Sequence, residues 1–316
     1  MLNYLISQFV RATEAAAIES ARSIGKGDAH YADKLATEAL RKILNSIDID
    51  ARIVIGEGER DEAPMLYIGE ELGTKNGPRV DIAVDPLEGT NLCAAGLDGA
   101  IAVMAISEQG GLLHAPDMYM QKLVVGPKLK GKVSINAPTQ ETLKIIAKTY
   151  KIPVDQVTVV VLDRPRHADL IKEIRETGAR IKLITDGDVS AGLDAAFPDN
   201  NIHAVMGIGA APEGVIKAAA MKAMGGEIQA IFKPKDKEQV ERMQKMGITD
   251  IEKVYFTDDL APGDDILFVA TGITHSVSMP AVEFQKGAVK TYSVIMDSKT
   301  QTIRFLQSIR KDPPLR

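Results

Sequence analysis

Two carboxylates, a glycine and a hydroxyl follow one another in Asp85-Pro86-Leu87-Glu88-Gly89-Thr90, directly after the alternating, β-branched run Arg79-Val80-Asp81-Ile82-Ala83-Val84. That run reads as a strand whose end delivers Asp85 to a sheet edge, with Pro86 stopping the ladder. Glu88 lies three positions further on across a turn, so both carboxylates can converge on one hard cation, and the Leu87 carbonyl can add a third oxygen. Gly89 lets the backbone approach a ligand closely. Thr90-Asn91-Leu92-Cys93-Ala94-Ala95 has the look of a helix start, whose free N–H groups favour a phosphate oxygen. A hydroxyl at that helix start can accept from an attacking water while donating to a carboxylate behind it. The chemistry this segment can do is metal-assisted attack on a phosphate ester. The competing reading is a surface turn with a threonine cap, which rarely carries two acids and a hydroxyl in this order after a buried strand.

The elements that must position these groups can be read from the pattern. A long helix runs from Tyr4 to Ile24 and ends at Gly25, and a second amphipathic helix over 32–44 carries Asp33 in its first turn. Asp33 there is either an acid favoured by the helix dipole or a side chain pointing into a cleft. The strand Arg52-Ile53-Val54-Ile55-Gly56 hands Glu57 to the same side as Asp85. Four acids lie between Glu57 and Glu62, and Glu59 or Asp61 could be the carboxylate behind Thr90, although such a run also suits a solvated loop. Strands follow over 100–106, 112–115, 118–125 and 132–135, so the first half reads as two helices and a largely antiparallel sheet. From Thr139 the rhythm changes to alternating helix and strand: helices over 139–150, 167–176, 213–224 and 236–246, and strands over 157–162, 180–184, 202–206 and 227–231. The expected organisation is a metal-binding half, 1–135, and an α/β substrate-binding half, 136–316. A strand over 265–271 and a hairpin over 289–303 complete a sheet, but the sequence does not say which.

Substrate recognition needs cations and hydroxyl partners away from the acids. Arg164-Pro165-Arg166 follows a strand and precedes a helix, so two guanidinium groups can fork onto a second phosphate, and Pro165 suits a first helical turn. An ordinary basic turn is the alternative. The Tyr119 hydroxyl could reach the same phosphate, or the ring could be core. Asp186-Gly187-Asp188 could accept from sugar hydroxyls, or form a plain turn. Gly207-Ile208-Gly209-Ala210-Ala211-Pro212-Glu213-Gly214 opens a helix, lets backbone approach a ligand at Ala210 and places Glu213 at the helix start. It lacks the G-x-G-x-x-G spacing and the G-K-(S/T) ending of nucleotide loops.

Composition narrows the options. With 316 residues and 45% hydrophobic side chains, the chain can fill one large layered core or two domains. No apolar run approaches the ~18 residues of a membrane span, and Met1-Leu2-Asn3-Tyr4 opens no signal sequence, so the expected location is the cytoplasm. A formal net charge of -5, no basic run and 4% aromatics supply no nucleic-acid footprint. The single cysteine, Cys93, sits among Ala and Leu as a small buried hydrophobe rather than a nucleophile. The five histidines show no i,i+4 pairing and no cysteine partner. Asp33, Glu57, Asp85, Glu88 and Glu213 are all acids at element ends, an all-oxygen set that selects Mg²⁺ or Mn²⁺ over zinc.

The segment Asp85–Thr90 resembles the D-P-(I/L)-(D/E)-G-T motif of the lithium-sensitive, metal-dependent phosphatase superfamily, which includes inositol monophosphatases and fructose-1,6-bisphosphatases. Glu88, where most of that superfamily has Asp, resembles the class II bacterial fructose-1,6-bisphosphatase branch. The likeness extends through Gly56-Glu57-Gly58-Glu59-Arg60-Asp61-Glu62, Ala115–Met120, Asp163–His167, Asp186–Asp188 and Gly209–Gly214. It implies a mixed α/β chain folded as a layered α/β/α/β/α sandwich, with metals on Asp33, Glu57, Asp85, Glu88 and Glu213. It implies too that Asp61 partners Thr90, that the substrate is a sugar bisphosphate met by Glu88, Gly89, Thr90 and the groups named above, and that the protein is a homo-oligomer. Hydrolysis of the 1-phosphate of fructose 1,6-bisphosphate is then the expected reaction. Sedoheptulose 1,7-bisphosphate is the rival substrate, since it presents the same reacting end. An inositol or nucleotide phosphatase fits Glu88 and the arginine pair less well. A noncatalytic phosphosugar or divalent-cation binding protein would be expected to lack the Thr90 hydroxyl.

Overall fold

The structure, a computed structural model, describes residues 2–58, 64–197 and 201–311. The chain forms two compact units, Met1–Leu112 with Gly263–Arg316, and Leu113–Pro262. The boundary between these units falls after Leu112, whereas the functional halves read from sequence divide after 135.

The first unit opens with a 3-10 turn, Leu2–Leu5, that runs into α1 (Ile6–Ala21). Alanines at 12, 16 and 17 let α1 lie close on the sheet, with Phe9 and Ile18 fully buried between them. Each of those larger side chains contributes about 1.5–3 kcal/mol. The helix stops at Ala21, earlier than the pattern predicted. α2 (Ala29–Leu44) starts earlier than predicted, because Asp28 caps it by accepting from the Tyr31 N–H at 2.9 Å. Asp33 consequently stands in the second turn, not the first. Then come β1 (Asp50–Ile55), β2 (Glu71–Leu72), β3 (Arg79–Glu88), α3 (Thr90–Ala95) and β4 (Ile101–Glu108).

The second unit contains β5 (Tyr119–Val125), α4 (Thr139–Tyr150), β6 (Thr158–Leu162), α5 (Ala168–Glu176), β7 (Arg180–Ile184), α6 (Asp188–Ala196) and β8 (Ala204–Ala210). It continues with α7 (Ala211–Met224), β9 (Glu227–Phe232), α8 (Lys237–Lys245), β10 (Tyr255–Phe256) and α9 (Thr257–Leu260). Its strand order is β10-β9-β5-β8-β6-β7, antiparallel from β10 to β8 and parallel from β8 to β7. Because side chains alternate along β5, Leu123 and Val125 join the core under α4 and α5, while Lys122 points at α6 and α7. This unit is therefore helix, sheet, helix.

The chain then returns to the first unit as β11 (Ile266–Gly272), β12 (Glu283–Gln285), β13 (Ala288–Asp297) and β14 (Thr302–Lys311). The first sheet has the order β12-β13-β11-β4-β3-β1-β2, with β14 on β13, and only β1 and β3 pair in parallel. This settles which sheet the C-terminal strands join. β11 is buried along its whole length, so it needs a central position, and it takes one between β4 and β13. α1 and α2 pack their apolar faces on this sheet. The class is mixed α/β and layered, as the sequence led one to expect, with helices packed on the sheet in each unit.

Some expected elements are corrected. β5 belongs to the second sheet, not to the strands of the first half. Residues 112–115 and 132–135 are not strands: around the latter, the Gln229 side chain accepts from the Ile135 N–H and donates to the Val133 carbonyl, both at 2.8 Å, taking the place of a ladder.

Candidate active site

In the first unit, β3 does not end at Pro86. It runs on to Glu88, and the register against β4 shifts between Asp85, opposite Val103, and Glu88, opposite Ile101. Three steps on β3 against two on β4 make a bulge, which is where a proline is tolerated inside a sheet. The Asp85 carboxylate closes the turn by accepting from the Leu87 N–H at 3.1 Å. Glu88 is buried, at 4% exposure. Gly89 takes φ of 85°, a left-handed conformation that costs glycine little, and serves as the N-cap of α3, so that Thr90 is the first helical residue. The bulge and the left-handed glycine together turn a strand end into a helix start within five residues of Asp85. Cys93 is buried in α3, and burial raises its thiol above the ordinary range, which suits a packing role.

Asp33 of α2 and Glu57, just beyond β1, share a side-chain hydrogen bond. Burial, then the Asp85 and Asp33 carboxylates, push Glu57 up to about 9, so it is the proton donor to Asp33 near neutral pH. Burial also raises Asp33. Of the expected metal-binding acids, Glu57 is thus in electrostatic contact with both Asp33 and Asp85, with a proton between it and Asp33. Among the described residues, no three His, Cys, Asp or Glu side chains are already set around a common point with the spacing of a metal site. The donor chemistry nonetheless fits a hard divalent cation: it is all oxygen, and a cation removes the repulsion that the shared proton now relieves. Glu59 and Asp61, the candidate partners of Thr90, lie outside the described residues.

The remaining candidates lie on the second unit. Arg164, Pro165 and Arg166 sit where β6 gives way to α5, with Pro165 at the first position of a 3-10 turn, Pro165–His167. The two guanidinium groups have different anchors. Arg164 donates to the carbonyls of Asp163 at 3.0 Å and Thr185 at 2.6 Å, whereas Arg166 uses Nε and Nη2 on the Ile208 carbonyl at 3.0 and 2.9 Å. Tyr119 is not core: Arg166 lies 4.7 Å and Lys235 4.6 Å from its ring centre. Two cations thus lie against one half-buried phenol ring, a concentration of positive charge that suits an anion.

On the opposite face of the β5 sheet, Lys122 is buried and donates to Asp188 at 2.8 Å, Glu213 at 3.1 Å and the Ala210 carbonyl at 2.9 Å. Three acceptors saturate its ammonium. Lys217, fully buried on α7, donates to the same Asp188 oxygen at 2.6 Å. Burial lowers Lys217 to about 8 and, together with Asp188, raises Glu213 to about 7. Burial opposes ionisation of Asp188, but the two lysines win and hold it well below the usual range. Asp186 caps its own turn by accepting from the Gly187 N–H at 3.0 Å, and Gly187 precedes α6, a helix the sequence reading missed.

Three lysines of these clusters escaped sequence reasoning: Lys122, Lys217 and Lys235. Lys235 had a usable signal, since Lys233-Pro234-Lys235 follows β9 just as Arg164-Pro165-Arg166 follows β6. So did Lys217, a lone charge in the run Val215-Ile216-Lys217-Ala218-Ala219-Ala220.

Comparison with known proteins bears on the same residues. The profile of the bacterial fructose-1,6-bisphosphatase family, glpX-encoded, matches residues 3–310. The D-fructose 1,6-bisphosphatase class 2/sedoheptulose 1,7-bisphosphatase of Synechococcus elongatus is 48% identical over 326 residues, covering 96% of this chain and 94% of that protein. Those of Thermosynechococcus vestitus and Acaryochloris marina, the latter numbered 2, are 49% and 50% identical, each covering 98% of this chain and 96% of the relative. Likeness on this scale, along nearly the whole length of both partners, places the chain in the bacterial fructose-1,6-bisphosphatase family, among the phosphoric monoester hydrolases that require a divalent metal.

Proposed function

We propose that the chain hydrolyses the 1-phosphate of fructose 1,6-bisphosphate to fructose 6-phosphate and phosphate with Mg²⁺ or Mn²⁺, and that it acts on sedoheptulose 1,7-bisphosphate at the same site. The observation that carries this is the electrostatic contact of Glu57 with both Asp33 and Asp85, the latter at the start of a strand-to-helix turn that leads to Thr90. Asp33, Glu57, Asp85 and Glu88 on the first unit and Glu213 on the second are the proposed metal ligands; when bound, divalent cations would polarise the phosphoryl oxygens and acidify the attacking water. Thr90 orients that water through its hydroxyl, and Asp61, or in its place Glu59, takes the proton. Gly89 lets the backbone, with Glu88 and Thr90, close on the reacting phosphate. The far phosphate is held by Arg166 and Arg164, with Pro165 fixing their turn, together with the Tyr119 hydroxyl and Lys235. Asp186, Gly187, Asp188 and Ala210 meet the sugar.

The residue motifs support membership of the wider inositol monophosphatase-like superfamily, and with it a homo-oligomer working in the cytoplasm in gluconeogenesis. Among the described residues no helix is long and apolar enough to cross a membrane. The names of the relatives, which carry both bisphosphatase activities, support the second substrate. Steady-state kcat/KM on the six- and seven-carbon bisphosphates tests the reading. Turnover of both is expected, and turnover of only monophosphates would sink it.

A further inference from the structure

His167 follows the phosphate-binding turn and does no chemistry in the reaction above, yet its imidazole is buried to 2% exposure and both ring nitrogens are engaged. Nδ1 faces the Leu162 carbonyl at 2.7 Å, and a carbonyl can only accept, so Nδ1 carries the proton. Nε2 then accepts from the Ile208 N–H at 2.7 Å. The other side of that same peptide segment, the Ile208 carbonyl, is the acceptor of the Arg166 fork. Gly207, with φ of 138°, clears the way: a Cβ there would meet Nε2 at 3.0 Å. One neutral imidazole therefore pins β8 to the end of β6, and the pinned residue holds the arginine against Tyr119.

We infer that His167 is a positioning residue for Arg166, acting through Ile208, and that its neutral, Nδ1-protonated form sets affinity for the non-reacting phosphate of the substrate. The inference rests on the reading of Arg166 as a ligand of that phosphate. A second proton on Nε2 would face the Ile208 N–H, so protonation must break the clamp. Arg164 and Arg166 from its own turn, Lys122 of β5, Asp188 of α6 and Glu173 of α5 are the charged groups around the ring or lining the small cavities it borders. Burial first, and the two arginines with it, hold the imidazole below its ordinary 6.5.

The test is steady-state kinetics on the metal-loaded enzyme with fructose 1,6-bisphosphate. Gln at 167 can reach the Nε2 position and keep an acceptor for Ile208, whereas Asn reaches only the Nδ1 position. His167→Asn is expected to raise KM about tenfold with kcat within about twofold, a loss of ~1.4 kcal/mol, and His167→Gln to recover most of it. In an Arg166→Ala background, His167→Asn should change KM by less than about twofold. In the unmodified protein KM should rise on the acid side of the imidazole pKa, and Arg166→Ala should lack that limb, a readout that needs no substitution at 167. If Arg166→Ala leaves KM unchanged, the phosphate-site reading fails. If Arg166→Ala raises KM but His167→Asn adds the same factor with or without it, or Asn and Gln behave alike, the positioning role is overturned while the site stands.

Discussion

Replacing Glu57 by Gln is expected to stabilise the metal-free protein while abolishing its response to metal. Burial and the Asp85 and Asp33 carboxylates raise Glu57 from 4.5 to about 9. For an acid whose folded pKa is raised, the folded state retains a proton that the unfolded state has released. The resulting cost is absent below the unfolded value, grows as pH rises above it and levels off near the folded value. At pH 7.5 about 3 units of that window have been crossed, at ~1.4 kcal/mol each, giving a ceiling of ~4 kcal/mol. The amide of Gln is a weaker donor to Asp33 than the carboxylic acid it replaces, which offsets part of this and leaves a gain of ~2 kcal/mol, or roughly 4 °C in Tm. The assay is thermal unfolding followed by circular dichroism in chelator at pH 5.5, 7.5 and 9. The gain should be smallest at pH 5.5 and largest at pH 9, and Mn²⁺ should raise the Tm of the unmodified protein alone. A variant that melts at or below the unmodified protein at pH 7.5 in chelator would refute the reasoning.

Thr90→Ala should lower kcat by about 10²–10⁴-fold with little change in KM, because the hydroxyl acts on the attacking water and not on ground-state binding; a near-normal kcat removes it from that role. Lys217→Met should destabilise the protein by ~3 kcal/mol in urea unfolding, since it leaves the buried Asp188 with half its counter-charge. Pairing it with Asp188→Leu should recover part of that loss, and strict additivity of the two changes would contradict the buried pairing.

How much of this was legible in the sequence follows from the kind of interaction involved. Asp85, Glu88, Gly89 and Thr90 were readable because a single turn gathers them, and turn chemistry is local. Arg166 was readable as a cation at an element junction, but its partner Lys235 comes from the end of another strand, β9, and only the sheet brings them over one ring. Lys122 lies inside the expected strand over 118–125, where nothing local marks it; that it faces a second buried lysine across one aspartate is a property of packing between β5, α6 and α7. Asp28 was an available cap that the helix reading passed over, and this misplaced Asp33 by a turn. α6 was missed because Val, Ser and Gly in Asp188–Ala196 weaken its helical pattern, and burial rather than propensity holds it.

In the proposed reaction the carboxylates of the strand-to-helix turn work through a divalent cation on a sugar bisphosphate. Phosphate release from fructose 1,6-bisphosphate by protein first stripped of metal, then supplied with Mg²⁺ or Mn²⁺, measures this directly. Turnover should be absent from the stripped protein and return with one of the two ions. Equal release with and without added ion would contradict the claim.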